Sequence, residues 1–369
     1  MNQIFNSLEI KETIFIGVSW PYANGKLHIG HLAGQNVVCD VFARYHRQKG
    51  DEVLMVSGTD SHGTPILIKA EKEHLSPEEL AEKYRQSHLE TFKKLNIQWD
   101  LFTTTESDNH KNVAQNLFKV MFDNGDIYPK EVEQYYDAKA EKFLSDRYIE
   151  GTCPHCGNKN ARGDQCDSGC GRTLDPSELI DPKSKITGET PVLKKHTVLY
   201  FKLSGFEKEI KELVQKSKGV WRDRVIGFAE AWLNEGLQDR AISRKLGYGI
   251  QIPIDQYKDQ DIYVWFEAVM GYLSAAIEWN NERWEHFWKN PEAKHYYFIA
   301  KDNIPFHTIL WPAMILSYNK KYKDGKFEPE LPGETKSELL NLPYDVPANQ
   351  FLTERGSKIS KSRGTLLEA

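Results

Sequence analysis

TIFIGVSWPYANGKLHIGH, residues 13–31, is the stretch on which the fold turns. Thr13–Val18 is β-branched and aromatic, the make-up of a buried strand. Pro21 and Asn24-Gly25 end it, because a fixed φ and an Asn-Gly turn both favour a loop. From Ile29 the pattern becomes helical to about Gln48, with Leu32, Val37 or Val38, Val41 and Tyr45 on one side and Gly50 as the stop. A second apolar strand at residues 52–57 runs into Gly58-Thr59-Asp60-Ser61-His62-Gly63. Strand, helix, strand in this order predicts a right-handed crossover, parallel pairing, and ligand groups where the strands end.

Further along, Ser76-Pro77-Glu78-Glu79 starts a helix, with Ser76 as cap, Pro77 in the first turn and Glu79 closing a capping box. Residues 107–124 form another helix, stopped by Gly125. Short strands then surround a cysteine cluster, followed by helices near 207–216 and 221–234. Strand patterns return at 249–254, 261–265 and 295–299, with helices at 267–278 and 305–318. A doubly wound α/β domain split by an insertion of roughly a hundred residues accounts for this order. The expected boundaries are 1–124 for the first half, 125–238 for the insertion, 239–348 for the second half, and 349–369 for a strand and basic loop.

The 369 residues are 40% hydrophobic and 27% charged, which excludes a disordered chain. Apolar runs are short and interrupted, so no membrane span is expected. The first twenty residues lack the basic start and long apolar run of a signal peptide, and a cytoplasmic location follows as the default. Forty-eight basic against fifty-three acidic residues give a net charge of −5, which argues against nucleic acid over the whole surface but leaves a local basic face open. Four of the five cysteines, Cys153, Cys156, Cys166 and Cys170, lie within eighteen residues, and such clustering in a cytosolic chain reads as metal before disulfide. Four thiolates suffice for a closed tetrahedral structural zinc site with no position left for substrate.

His28 and His31, three apart at a helix start, share one face and point back towards the preceding loop. Free backbone N–H groups and the helix dipole attract anions there, so the pair can hold a triphosphate and donate as charge builds on an α-phosphate. Gly30 leaves the helix backbone open to a ligand. Lys358 and Lys361, in Lys358-Ile359-Ser360-Lys361-Ser362-Arg363-Gly364, make a cationic loop suited to clamping phosphates and then releasing pyrophosphate.

The two motifs resemble the HIGH and KMSKS signatures of class I aminoacyl-tRNA synthetases, and in detail the methionyl group of that family. The resemblance extends over essentially the whole chain. It rests also on Trp20-Pro21-Tyr22-Ala23-Asn24-Gly25, residues 58–65 (GTDSHGTP), residues 264–272 (VWFEAVMGY) and residues 301–307 (KDNIPFH). It implies a Rossmann-like, HUP-type catalytic domain with a zinc-knuckle connective insertion. It also implies ATP-dependent activation of L-methionine to the adenylate and transfer to tRNA(Met), initiator tRNA included. In this resemblance Asp60 takes the substrate ammonium, and Trp20, Tyr22, Trp265, Ala268, Val269, Tyr272 and His307 surround the thioether, with Tyr272 and His307 bonding weakly to sulfur. Asp302 receives the ribose hydroxyls, and Lys301 and Arg244 contact phosphate. Tyr22, His28, Gly30, His31, Leu352 and Lys361 complete the ATP site, and the catalytic set is His28, His31, Lys358, Lys361 and Arg244. One structural Zn²⁺ per chain is implied, with Mg²⁺ accompanying ATP.

Some residues depart from the family pattern. Ala300-Lys301-Asp302 replaces Gly-Lys-Asp, and Asn349-Gln350-Phe351 stands where a glycine commonly precedes the aromatic. The second cysteine pair is Cys-x-x-x-Cys, one residue wider than usual, which leaves a replaced ligand or an enlarged turn open. The chain ends seven residues beyond Ser362, ahead of the family's helical anticodon-binding domain, so a catalytic fragment is expected. The rival readings are another class I synthetase, a HIGH-motif nucleotidylyltransferase, and a zinc-dependent RNA-binding module without catalysis.

Overall fold

The computed structural model describes residues 11–144, 148–163, 166, 169–170, 174, 176–323, 326–328, 339–354 and 357–358. Contacts divide the chain into two compact units: Met1–Tyr128, Phe201–Ile242 and Leu246–Ala369 form the first, Pro129–Tyr200 and Ser243–Lys245 the second. Among the described residues no helix is long and apolar enough to cross a membrane.

Five parallel strands carry the first unit. β1 (Thr13–Val18) is central, with β2 (Glu52–Thr59) and then β3 (Leu101–Thr104) on one side. On the other side lie β4 (Lys294–Ala300) and β5 (Ala348–Asn349). Ile16 pairs with Met55 on one flank and Tyr296 on the other. β1 is buried on both faces, as expected of a central parallel strand. Ile14, Ile16 and Val18 enter one core with Phe298 and Phe102, while Phe15 turns the opposite way onto Trp288 and Tyr297. Each large side chain fully buried in this way contributes about 2 kcal/mol.

The caps read from sequence are present. Ser76 Oγ accepts the Glu79 N–H (3.1 Å) and Glu79 Oε2 accepts the Ser76 N–H (2.8 Å), which starts the helix Pro77–Lys94. The helix after β1 is α1 (Val37–Lys49), closed by Gly50 at φ 91°; the helix Pro77–Lys94 is α2 and Asp108–Asp123 is α3. It is preceded by one helical turn, Ile29–His31, and a π-turn, Leu32–Asn36.

Four expectations are corrected. The stripe Val37, Val38, Val41 and Tyr45 is exposed, up to 60% at Tyr45. Leu32 of the expected stripe is buried, but beyond it the sheet takes Asn36, Cys39, Ala43 and His46, an equally periodic stripe. Small residues at Cys39 and Ala43 let the helix lie close on β1, and that close packing outweighs the larger apolar area of the other stripe. Residues 249–254 do not form a strand. Ile250 and Ile252 are buried in alternation, yet only Gln251 bridges, to Asp261, before Pro253 removes a donor. Residues 261–265 are strand only at Asp261–Ile262, since the helix α4 (Val264–Ala268) starts with Trp265 already in it. The strand expected at 349–353 is likewise two short ones, β5 and Thr353–Glu354.

In the second unit, Ile149–Thr152 pairs antiparallel with Ala161–Arg162 and with Ile180–Ser184. Leu144, Ile149, Ala161 and Leu179 fill a small core that includes two of the cysteines, Cys153 and Cys166.

Candidate functional site

The carboxyl ends of β1, β2, β4 and β5 open on one side of the sheet. The loop after β1 is tied to the end of β2 by Ala23 N–H to Asp60 O (2.9 Å) and Asp60 N–H to Pro21 O (3.0 Å). His28 caps the following helical turn. Its Nδ1 accepts the Gly30 N–H (3.1 Å), and His31 Nδ1 accepts the His28 N–H (3.2 Å), a capping box built from two histidines. The rings stack with centroids 3.7 Å apart. With both Nδ1 atoms accepting, the neutral rings carry their protons on Nε2. A Cβ at Gly30 would stand 2.9 Å from His28 Cε1, so this glycine makes room for the capping imidazole.

His28 and His31 line a cavity of about 210 Å³ with Trp20, Tyr22, Gly30, Trp265, Asp302, Phe351 and Leu352. Of the proposed ATP residues these include all but Lys301 and Lys361. Lys301 Nζ lies 4.6 Å from the Phe351 ring centre. Asn349, at the position of the departure, packs over Gly34, where a Cβ would come within 2.4 Å of its Nδ2. Its Oδ1 is buried with no partner among the described residues. Lys358 enters as part of the strand Ser357–Lys358, its side chain outside the described residues, and Lys361 lies outside them altogether. Arg244 belongs to the second unit.

Below the cavity rim, Trp20 is slotted between two glycines: a Cβ at Gly58 or Gly271 would stand 2.7–2.8 Å from its ring. Tyr22 meets Trp265 edge-on (5.8 Å), and Trp265 stacks on Phe306 (4.6 Å). Val269 is buried and Ala268 half-buried at the end of α4, and neither lines the cavity. His307 sits in a second π-turn, Phe306–Leu310, a form of turn frequent at functional sites. Its Nδ1 donates to Asn303 O (2.9 Å), which leaves Nε2 to accept the Tyr272 hydroxyl (2.7 Å). Burial lowers the His307 pKa to about 4, so the ring is neutral. Both hydrogens that the sequence reading offers to a substrate sulfur are thereby spent, and what this pair presents is polarizable surface.

Asp60 is buried, and its Oδ1 has no partner among the described residues. Burial first, then the Glu267 carboxylate, push its carboxyl well above the usual range. Behind it lies a charge network that sequence reasoning missed. His62 Nδ1 contacts Glu267 Oε1 (2.6 Å), and its Nε2 stands 3.0 Å from Glu106 Oε1. The other Glu267 oxygen meets His110 Nε2 (2.7 Å). Against burial, Glu267 and Glu106 hold His62 up at about 10. Against burial too, His62 holds Glu106 down at about 2. His62 and Glu267 both stand inside motifs quoted above, and only the fold joins them across 205 positions.

A family model described as tRNA synthetases class I (M) matches residues 14–369. The chain belongs to that family. Curated class I synthetases similar to it include the methionine–tRNA ligases of Dehalococcoides mccartyi (47% identical over 363 residues, 97% of this chain and 62% of the relative) and Thermomicrobium roseum (46% over 357 residues, 95% and 58%). The chain spans about three fifths of the length of these relatives. Among solved structures it resembles Mycobacterium tuberculosis methionyl-tRNA synthetase bound by methionyl-adenylate, with a TM-score of 0.70 at 23% identity, over 97% of this chain and 61% of that one. That likeness establishes the fold.

In this class I synthetase the cysteine cluster lies in the second unit. The four sulfurs lie within 4.8 Å of one another, with Cys153 and Cys166 buried and Cys156 and Cys170 exposed. The wider second spacing still brings all four thiols together, and the Gly169 N–H donates to Cys166 O (3.2 Å). The Asn158 amide donates to Cys166 Sγ (3.4 Å) and brings that thiol down to about 6. The donor set fits a zinc site.

Proposed function

We propose that this chain is the catalytic part of a methionine–tRNA ligase. It activates L-methionine with ATP to methionyl-adenylate and pyrophosphate, and the methionyl group then passes to the 3′ end of tRNA(Met), initiator tRNA included. The observation that carries the reading is Asp60 Oδ1, a buried carboxylate oxygen at the strand ends with no partner among the described residues, suited to a substrate ammonium. The names of relatives 43–47% identical agree with it.

Bound through its ammonium at Asp60, methionine extends its thioether among Trp20, Tyr22, Trp265, Ala268, Val269, Tyr272 and His307, where sulfur–ring contact favours it. Its carboxylate oxygen forms a bond to the α-phosphorus while the bond to the bridging oxygen breaks, and pyrophosphate leaves. The chain needs no nucleophile of its own. His28 and His31 donate from Nε2 as charge builds on the α-phosphate oxygens, in a site already oriented by their capping bonds. Asp302 receives the ribose hydroxyls, and Tyr22, Gly30 and Leu352 bound the nucleotide. Lys301, Lys358, Lys361 and Arg244 neutralise phosphate charge, and Mg²⁺ accompanying ATP supplies further neutralisation. Cys153, Cys156, Cys166 and Cys170 would hold zinc, which would serve a structural part there, holding together the knuckle of the connective insertion, residues 125–238. Such a reaction belongs in the cytoplasm.

The test is ATP–pyrophosphate exchange with Mg²⁺ and each of the twenty amino acids in turn. Exchange with methionine alone is expected. Exchange with another amino acid overturns the pocket, and none from a folded, zinc-loaded sample overturns the activity.

A further inference from the structure

The buried ion cluster behind Asp60 lines no part of the cavity and has no role in the scheme above. Glu267 is fully buried and both its oxygens are engaged, one by His62 Nδ1 and one by His110 Nε2. Glu106 is shared between His62 and Lys111 Nζ (2.6 Å). Tyr248 closes the other side of the imidazole, edge-on at 5.4 Å. The charged groups around Asp60 are thus His62 from its own loop, Glu267 from α4, and Glu106 and Lys111 from the start of the helix Asp108–Asp123. Asp261, near the start of α4, also feels His62. Asp60, Glu267 and Glu106 are thus three carboxyls gathered around the one imidazole of His62, with Lys111 on the far side of Glu106 and His110 on the far side of Glu267. Among the described residues Glu106 Oε1 makes no hydrogen bond but faces His62 Nε2 at 3.0 Å, whereas Asp60 Oδ1 has neither a hydrogen bond nor an ion pair.

We infer that His62, clamped between Glu267 and Glu106, is a positioning residue that sets the charge on Asp60 and through it the grip on the substrate ammonium. Resting on the reading of Asp60 given above, this assigns a role to three residues that touch no substrate. The logic is electrostatic. A buried carboxylate stays ionised only where neighbouring charge offsets its desolvation, and His62 supplies that offset while Glu267 opposes it. If His62 is removed, one carboxyl must take up a proton. Glu267 loses one donor but keeps His110 Nε2, whereas Asp60 Oδ1 has none among the described residues, so the proton goes to Asp60 and the ammonium loses its partner.

The test measures the methionine KM in ATP–pyrophosphate exchange, and methionine Kd by calorimetry, from pH 5.5 to 9. In H62Q the acid limb of binding should move up by about one pH unit or more, which raises KM roughly tenfold on that limb. Its kcat should change little, and the gap should close towards pH 9. E267Q removes the opposing charge, so its limb should move down. H62Q/E267Q removes one charge of each sign and should return near wild type. Asp60→Asn is the control on the underlying reading: loss of methionine binding upholds it, and normal binding overturns both that reading and this inference. With D60N impaired, a KM rise in H62Q that is equal at every pH and unrescued by E267Q makes His62 merely structural and overturns the inference alone. If H62Q does not fold, E267Q decides: a limb moved down supports the inference, and one unmoved or moved up overturns it.

Discussion

His31 Nδ1 accepts the backbone N–H of His28 while the two rings lie stacked at 3.7 Å. The same bonds that start the helix therefore aim the proposed donors. Capping and chemistry can be separated by substitution, because asparagine also caps well. In H28N the fold should keep its stability within about 0.5 kcal/mol, while adenylate formation should fall roughly a hundredfold, the usual loss when one donor to a developing oxyanion is removed. Thermal melts and a pre-steady-state burst assay measure the two halves, and an unchanged burst removes His28 from the chemistry.

Gly30 gives the complementary experiment. A methyl there would stand 2.9 Å from His28 Cε1, so G30A must displace the ring and open the box. The expected cost is about 1 kcal/mol of stability for the lost cap, together with a lower kcat and a methionine KM near wild type. A G30A enzyme with normal kcat means that the ring's placement does not matter to turnover.

Tyr272 and His307 bear on how a thioether is chosen. Tyr272 Oη already donates to His307 Nε2, and His307 Nδ1 already donates to Asn303 O. Y272F should cost about 1–3 kcal/mol in a denaturant melt, the penalty for leaving the buried Nε2 unsatisfied. The preference for methionine over its sulfur-free isostere norleucine should nonetheless stay within a few-fold of wild type. A hydroxyl that donated to sulfur would be worth up to roughly tenfold, so a drop of that size returns the sulfur hydrogen bond to the pocket.

How much of this was legible differs by kind of interaction. β1, the Ser76 cap and the Gly50 stop are local, and their residues decide them within a turn or two. The direction in which α1 faces was not legible, since two stripes of that helix are periodic and the sheet chose the one with small residues, Cys39 and Ala43. The strand expected at 249–254 had the right alternation, but Pro253 cut short its pairing. The site divides in the same way. His28, His31 and the cysteines could be read by spacing, whereas the clamp of Glu267 on His62 joins residues 205 apart and exists only once β2 and α4 meet.

The cysteine knuckle predicts a separable response. Four thiolates on one Zn²⁺ are worth on the order of 10 kcal/mol to a small domain, far more than a core the size of the second unit's supplies. Chelation, or C170S, should therefore lower the zinc content from one per chain and expose residues 129–200 to limited proteolysis, while the first unit keeps its own melting transition. Full zinc retention in C170S would take that thiol out of the ligand set.

Stability should also change sign in its dependence on pH. His307 and His295 are buried neutral, each lowered by burial to about 4 from an ordinary 6.5. The unfolded chain binds those protons first, so the stability they contribute is present above pH 6.5 and is lost as pH falls to 4, roughly 3 kcal/mol for each. His62 works the other way. Held up at about 10 by Glu267 and Glu106 against burial, it contributes stability that is complete below pH 6.5 and lost as pH rises through 10. The melting temperature should accordingly fall on both sides of a maximum near pH 6.5, with the two limbs owned by different residues. H62Q should flatten the alkaline limb and leave the acid one, while H307N should flatten part of the acid limb and leave the alkaline one. An alkaline limb that survives H62Q intact means the imidazolium between Glu267 and Glu106 is not what the fold loses at high pH, and the charge assignment behind Asp60 would go with it.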